Sequence, residues 1–250
     1  MRFFKDFEEV QYRFGNETSN VLFQNLTAYA DIVDQIKDDA GLYQFEQIHE
    51  GFRPDQVSIR LYGTPLYYWT FYLMNDNLRL QGWPLTNREL EAKVKKDYPG
   101  TAITTRNNLT GIFKIGRTVV GSQSGATGQI FHRNLSLGQI VVTGDLEFKV
   151  NPSPEAVTST YQTPGGTQAT TTETINLSSY SPYYNAAHHY IDGNGNWTDF
   201  DPQVGPGAQL TEVTNFDHYI DENDALRTIR VIRPGLINDI ISAYKKSIRS

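Results

Sequence analysis

The sequence predicts an α+β chain: a strand–helix–helix module, then a small antiparallel β domain, with an extended N-terminal arm, a long polar loop and a C-terminal helix. Three observations carry this. Five aromatic residues crowd Gly63–Asn77, a segment of helical character. After Gly111 the apolar period falls to that of strands, with glycine breaks between runs. Near the end, Ile237, Ile240, Ile241, Tyr244 and Ile248 form one apolar stripe at helical spacing.

Residues 1–40 read as an arm bearing Phe3, Phe4, Phe7, Val10 and Tyr12. A short helix is expected from Leu26 to Lys37, acidic on its outer face through Asp31, Asp34, Asp38 and Asp39, with Gly41 as its stop. Residues 41–100 form the module. Tyr43–Ile48 reads as a strand, and Pro54–Tyr62 as a first helix with Val57 and Leu61 facing inward. Gly63 ends that helix, and Pro65 suits the first turn of the next, where its missing N–H costs nothing. About three turns follow, stopped by Asn75 and Asn77, which tolerate the left-handed conformation. Leu66, Trp69 and Leu73 share one face and are assigned to the module's core. Tyr67, Phe71 and Met74 share a second, and Tyr68 and Tyr72 a third. A surface helix needs a single apolar stripe, so this chain or a partner must cover the others. Pro84-Leu85 opens the last part, where Leu90 and Val94 face a core and Lys93, Lys95 and Lys96 face water.

Residues 101–150 read as the small β domain. Ile112–Val120 and Gln129–Phe131 flank the turn Gly121–Gly128, and Gln139–Thr143 and Leu146–Val150 follow. Residues 151–225 read as a loop-rich region, because residues 151–182 hold thirteen Ser or Thr, four Pro and no basic residue. Residues 226–250 are expected to hold a strand over Leu226–Ile232 and the striped helix starting at Pro234. Six basic residues against one acidic give this tail +5, so the preceding 225 residues carry −11 of the net −6. Lys245, Lys246 and Arg249 complement a helix C-terminus; docking on an acidic neighbour is the alternative.

A net charge of −6 argues against nonspecific nucleic-acid binding. The chain has no cysteine, which excludes disulfides, thiolate zinc sites and cysteine nucleophiles. The N-terminus becomes charged too early for a signal peptide, and no apolar run approaches the roughly 20 residues that span a bilayer. A soluble protein is expected. Thirteen Phe and fifteen Tyr against two Met suit rigid contacts at permanent interfaces.

No catalytic constellation emerges. Asp192-Gly-Asn-Gly-Asn196 begins like a calcium loop, but Trp197 and Gln203 stand where Gly and Glu are needed, so an Asx-stabilised turn is expected. His188 and His189 are adjacent and should diverge; His218 and Asp192 could join one of them, but the spacing is unspecific, and no metal or other cofactor is expected. Gln123 replaces the serine of a nucleophile elbow, and Gly121–Gly128 lacks the Lys-Ser/Thr of a phosphate loop. The chain is expected not to be an enzyme.

Tyr43–Tyr98 resembles a LysM fold, a βααβ unit, through Pro54-Asp55, Val57–Gly63, the helix ending at Asn75 and Pro84-Leu85. More specifically, the chain resembles the family of baseplate wedge protein 53 of T-even-type contractile phages, especially those of cyanobacterial phages. The marks are Phe52-Arg-Pro-Asp55, Leu61–Trp69, Asn75–Asn77, Gly82-Trp-Pro-Leu85, Asn25-Leu-Thr27, Ser124–Gly128, Tyr184–Tyr190 and Asn223–Pro234, in order along nearly the whole chain. The resemblance implies a structural virion component of the contractile tail, assembled from chains made in the host bacterial cytoplasm. It would clamp the helical core bundle of each wedge, meet sheath-initiator-like subunits, and help join neighbouring wedges in a sixfold baseplate, without nucleic acid or membrane. The implied partner-binding residues are Arg53, Asp55, Tyr67, Tyr68, Phe71, Tyr72, Asn75, Asn77 and Trp83 in the module. Near the C-terminus they are Arg227, Arg230, Tyr244, Lys245 and Lys246. The alternative is a LysM-type peptidoglycan-binding module of a tail-associated cell-wall protein.

Overall fold

A computed structural model describes residues 8–16, 18–24, 32–162 and 170–248. The chain divides into two units, residues 1–86 with 222–250, and residues 87–221.

The first unit opens with an antiparallel hairpin of β1 (Glu9–Tyr12) and β2 (Val21–Gln24), Glu9 opposite Gln24 and Tyr12 opposite Val21. Val10 and Tyr12 of the expected arm thus belong to a strand; Phe3, Phe4, Phe7 and residues 25–31 lie outside the described residues. Helix α1 (Ile32–Asp38) buries Val33 and Ile36, and Asp39 Oδ1 accepts the Gly41 N–H at 2.7 Å in the turn after it. Strand β3 (Tyr43–Gln47) and helix α2 (Pro54–Tyr62) follow as the sequence predicts. The N–H of Arg53 is capped by Gln56 Oε1 at 2.9 Å, and Gly63 (φ 70°) terminates the helix in the left-handed region that glycine adopts without strain.

The aromatic segment is not one helix. Pro65–Tyr67 form a 3₁₀ turn, α3 covers Trp69–Met74, and α4 (Asp76–Gln81) begins after a break at Asn75. Buried Ser58 holds the first junction: its hydroxyl donates to Thr64 O at 2.7 Å and accepts the Tyr67 N–H at 3.3 Å. Leu66, assigned to the core on the assumption of a continuous helix, is 61% exposed because the 3₁₀ turn breaks that face. Asn75 stops α3 in an extended rather than left-handed conformation (φ −129°, ψ 104°), and Asn77 lies inside α4 rather than ending a helix.

The chain's own ends cover the surplus aromatic faces. Trp69 and Met74 pack with Val33 and Ile36 of α1, and with Ile237, Ile241, Tyr244 and Ile248 at α7 (Ile237–Ser247). Phe71, with no exposed surface, packs with Ile48, Val57, Leu78, Leu226, Ile229 and Val231. A fully buried ring of this kind contributes about 1.5–3 kcal/mol. Ile229 and Val231 belong to β13 (Thr228–Ile232), which pairs antiparallel with β3, Tyr43 opposite Ile232 and Gln47 opposite Thr228. The strand paired with β3 therefore comes from the far end of the sequence, not from within Tyr43–Tyr98 as the βααβ resemblance implied. A short 3₁₀ turn at Pro234–Leu236 leads into α7, whose stripe is buried as its spacing predicts, with Ile240 partly covered.

The second unit begins with α5 (Asn87–Asp97), which buries Leu90 and Val94. Seven strands form one antiparallel sheet: β4 (Thr101–Thr104), β5 (Thr118–Gly121), β6 (Thr127–Asn134), β7 (Gln139–Val142), β8 (Ala156–Gln162), β9 (Thr170–Asn176) and β10 (Ser179–Pro182). Their order is β10-β4-β7-β6-β5-β8-β9, and Ile103, Phe113, Val119, Ile130, Ile140, Val157 and Ile175 fill the core. The polar loop expected over residues 151–182 is a correction: most of it is β8, β9 and β10. Val157 and Ile175 face each other, both buried, while β-branched threonines occupy outer positions. Conversely, residues 112–117 and 146–150 are irregular rather than strands, although Phe113 and Phe148 still reach the core. Strands β11 (Ala187–Ile191) and β12 (Thr211–Thr214) form a separate pair, and α6 (Asn215–Ala225) follows.

In the first unit, the Asn75 side chain donates to Phe71 O and Arg230 O, each at 2.8 Å, and accepts the Arg230 N–H at 2.8 Å. Asn75→Ala leaves the part-buried Arg230 N–H and C=O without this partner, while Phe71 O keeps the Asn75 backbone N–H at 3.1 Å, and is expected to lower stability by about 2 kcal/mol in urea unfolding. Asn77→Ala, at an exposed position two residues away, should change it by no more than about 0.5 kcal/mol.

Candidate functional site

Among the module residues expected at a partner surface, Arg53 and Asp55 form a two-bond ion pair at 3.1 and 2.8 Å, with the arginine side chain largely in solvent. Asn77 is exposed, and Tyr67, Tyr68, Tyr72 and Trp83 are half-buried. Tyr67 Oη donates to Asn238 Oδ1 at 2.8 Å, and Trp83 Nε1 donates to Phe52 O at 2.7 Å, so each ring presents one edge to its own chain. Phe71 and Asn75 are buried, as is Tyr244, which packs on Trp69 with ring centroids 5.5 Å apart. These three hold the fold together rather than meeting a partner. Arg227 donates to Asp224 Oδ1 at 2.9 Å and to Leu85 O at 3.2 Å, and the Arg230 guanidinium lies over the Tyr43 ring at 5.2 Å. Lys245 and Lys246 occupy the last turn of α7, where positive charge complements the helix dipole.

Sequence reasoning undervalued the hairpin. Val10, Tyr12, Phe14, Val21, Leu22 and Phe23 are each 38–59% exposed, and Phe14 stacks edge-on against Tyr12 and Phe23 at 4.9 and 5.4 Å. A two-stranded hairpin by itself is marginal in water; among the described residues this one gathers Val10, Tyr12, Val21 and Phe23 on one face, with Phe14 against Tyr12 and Phe23, and Leu22 opposite Gln11 on the other. The signal was present as alternating apolar residues around Gly15, but Val21–Phe23 were not read as a strand.

In the second unit, two carboxylates missed by the sequence reading are structural. Glu155 is buried. One of its oxygens accepts the N–H groups of Gln123 and Ser124 at 2.7 and 2.9 Å, and the other accepts that of Lys149 at 2.7 Å. Burial alone would raise its pKa, but these bonds and the Ser124 hydroxyl outweigh it and hold the pKa at about 2. The turn after β5 thus wraps a carboxylate, and a Cβ at Gly121 would sit 2.9 Å from Glu155 Oε2. Glu173 accepts the Phe113 N–H at 2.7 Å and pairs with Arg117 at 2.5 Å, which fixes Phe113 in its left-handed backbone conformation (φ 50°).

The same unit assembles a histidine cluster. Adjacent strand residues normally point to opposite faces, yet the β11–β12 register shifts between Ala187 and His189, making His188 the extra residue of a bulge. His188 and His189 consequently converge, with Nδ1 atoms 2.9 Å apart. The third ring comes from the first turn of α6. Thr214 and Asp217 cap that helix reciprocally, the Asp217 carboxylate accepting the Thr214 hydroxyl at 2.7 Å and the Thr214 Oγ1 accepting the Asp217 N–H at 3.1 Å. Asn215 donates to Tyr183 O at 2.8 Å and anchors the helix start. His218 then stacks on His188, centroids 4.1 Å apart and planes 12° from parallel.

Asp192 does not join them. Its Oδ1 accepts the N–H groups of Asn194 and Asn196 at 2.8 and 2.9 Å, the Asx turn expected from sequence. That turn carries Trp197 back over His189, centroids 4.1 Å apart. Burial, then the neighbouring His218 and His189, lower the His188 pKa to about 4. Burial and His218 lower that of His189, with Asp221 opposing. The 2.9 Å Nδ1–Nδ1 contact is a hydrogen bond between the two rings, its direction set by the tautomer.

No family model matches the sequence, and no curated protein matches it. Among the described residues no helix is long and apolar enough to cross a membrane.

Glu155 gives a signed pH dependence. Its folded pKa of about 2 lies below the ordinary 4.5, so its contribution is complete above pH 4.5 and is lost as pH falls toward 2. Glu155→Gln should be less stable than wild type at pH 7 by about 3 kcal/mol, with the gap narrowing across that window. Urea unfolding at pH 7, 4 and 2.5 measures it.

Proposed function

We propose that this chain is a structural component of a contractile phage tail baseplate, a wedge clamp that grips other proteins rather than a catalyst. The observation that carries the reading is the exposed apolar hairpin, with Tyr12, Phe14 and Phe23 forming a ready aromatic anchor. Such a surface suits a permanent protein interface far better than a sugar, which needs polar groups arranged around a ring.

Further support comes from the way the segments that resemble the wedge-protein family bind one another. Leu85 donates its N–H to Asn223 Oδ1 at 2.7 Å and receives Asn223 Nδ2 at 3.1 Å, linking Gly82–Leu85 to Asn223–Pro234. Trp83 reaches Phe52 of the Phe52–Asp55 segment, and Asn75 pairs with Arg230. We read β3, α2, the α3–α4 pair and β13 as a LysM-like βααβ unit, with residues 87–221 inserted before its closing strand. The wedge core bundle and neighbouring wedges are the partners this reading assigns.

Phe14→Ser with Phe23→Ser should weaken co-assembly with the wedge core proteins by about 30-fold or more, the scale of a lost aromatic anchor. The melting temperature of the isolated chain should change less than co-assembly does, since these rings are 48% and 42% exposed in the free chain. Co-purification and thermal melting check the two halves. Saturable binding to peptidoglycan, with none to wedge proteins, would overturn the reading in favour of a cell-wall module.

A further inference from the structure

We infer that His188, His189 and His218 form a binding site for one divalent transition-metal ion of the zinc class. The three rings come from a strand and a helix, and one ring nitrogen from each lies within 4.8 Å of the other two. A zinc-type ion at about 2.0–2.1 Å from each nitrogen needs nitrogens about 3.3 Å apart. The His188 and His189 Nδ1 atoms are already closer than that, at 2.9 Å. Modest χ rotation of His218, unstacking it from His188, brings the third nitrogen in.

Three features separate this cluster from incidental histidine packing. The bulge at His188 is a local irregularity in the β11–β12 register, and its consequence is to turn two consecutive imidazoles toward one point. The rings are half-buried rather than loose on the surface, and Trp197, itself 62% exposed, covers His189 from the solvent side. Asp221, one turn beyond His218 on α6, supplies negative charge that acts on His189, suited to balancing a bound cation. An all-imidazole set with no thiolate favours zinc, nickel, cobalt or copper over calcium or magnesium, which take oxygen ligands. Three protein ligands leave a fourth position for water or for a side chain of a neighbouring subunit.

The test uses the full chain, stripped with chelator and without a histidine tag. Calorimetric titration with zinc chloride should give one ion per chain, and cobalt chloride should produce the visible bands of a four-coordinate site. His218→Ala should weaken zinc binding at least tenfold while leaving the circular dichroism unchanged, and His188→Ala should do the same. Copper ions should quench Trp197 fluorescence, read as the part of the quenching that Trp197→Phe removes, and Trp197→Phe should retain zinc binding. No binding of zinc or cobalt at micromolar concentration, or binding that survives His188→Ala and His218→Ala undiminished, overturns the proposal.

Discussion

The first unit depends on one side chain. Asn75 ends α3 and at the same time completes the hydrogen bonding of β13, a strand 155 residues away in sequence. Its amide donates and accepts at the Arg230 backbone as a neighbouring strand would, so the helix end substitutes for a third strand. With that pairing made, β13 lies beside β3, and Ile229 and Val231 seal the core around Phe71. Helix α7 follows directly and covers Trp69. The non-local contacts on which this core relies form late and slowly in principle, because the loop-closure cost precedes their reward. A buried, doubly satisfied amide offsets part of that cost and specifies the register.

Much of the local structure was legible in the sequence because local rules govern it. Helix α2 runs from Pro54 to Tyr62 as its proline start and glycine stop require, and the α7 stripe is buried as spaced. What failed depended on distant partners. Residues 151–182 looked like a loop because Ser and Thr dominate, yet threonine is a strand former once a sheet edge is available, and β5 supplies that edge to β8. The strand that pairs with β3 could not be placed without knowing that residues 87–221 intervene. Asn75 and Asn77 looked equivalent as helix stops, but one is buried against β13 and the other is in solvent. His188 and His189 were expected to diverge because regular pleating was assumed, and a one-residue bulge reverses that conclusion.

The aromatic segment illustrates the division between folding and binding. Its crowding first suggests a helix made for partners, but Phe71 and Trp69 are consumed by the chain's own ends, and the tyrosines keep only partial exposure. Exposed apolar surface among the described residues lies instead on the β1–β2 hairpin, chiefly on the face of Val10, Tyr12, Val21 and Phe23. The proposal therefore places partner contact on the hairpin, which among the described residues is less covered by its own chain than the aromatic segment is. Under the proposed clamp role, buried amides and rings would hold the first unit together while the hairpin, a separate element, would reach outward.

Hydrogen–deuterium exchange on the free chain and on the chain mixed with wedge core proteins, the partners proposed for it, is the most direct test. The account predicts that residues 9–24 exchange rapidly in the free protein and become strongly protected on assembly, while α3 and β13 are equally protected in each state. Unchanged rapid exchange of the hairpin in the assembled particle, with new protection confined elsewhere, would contradict it.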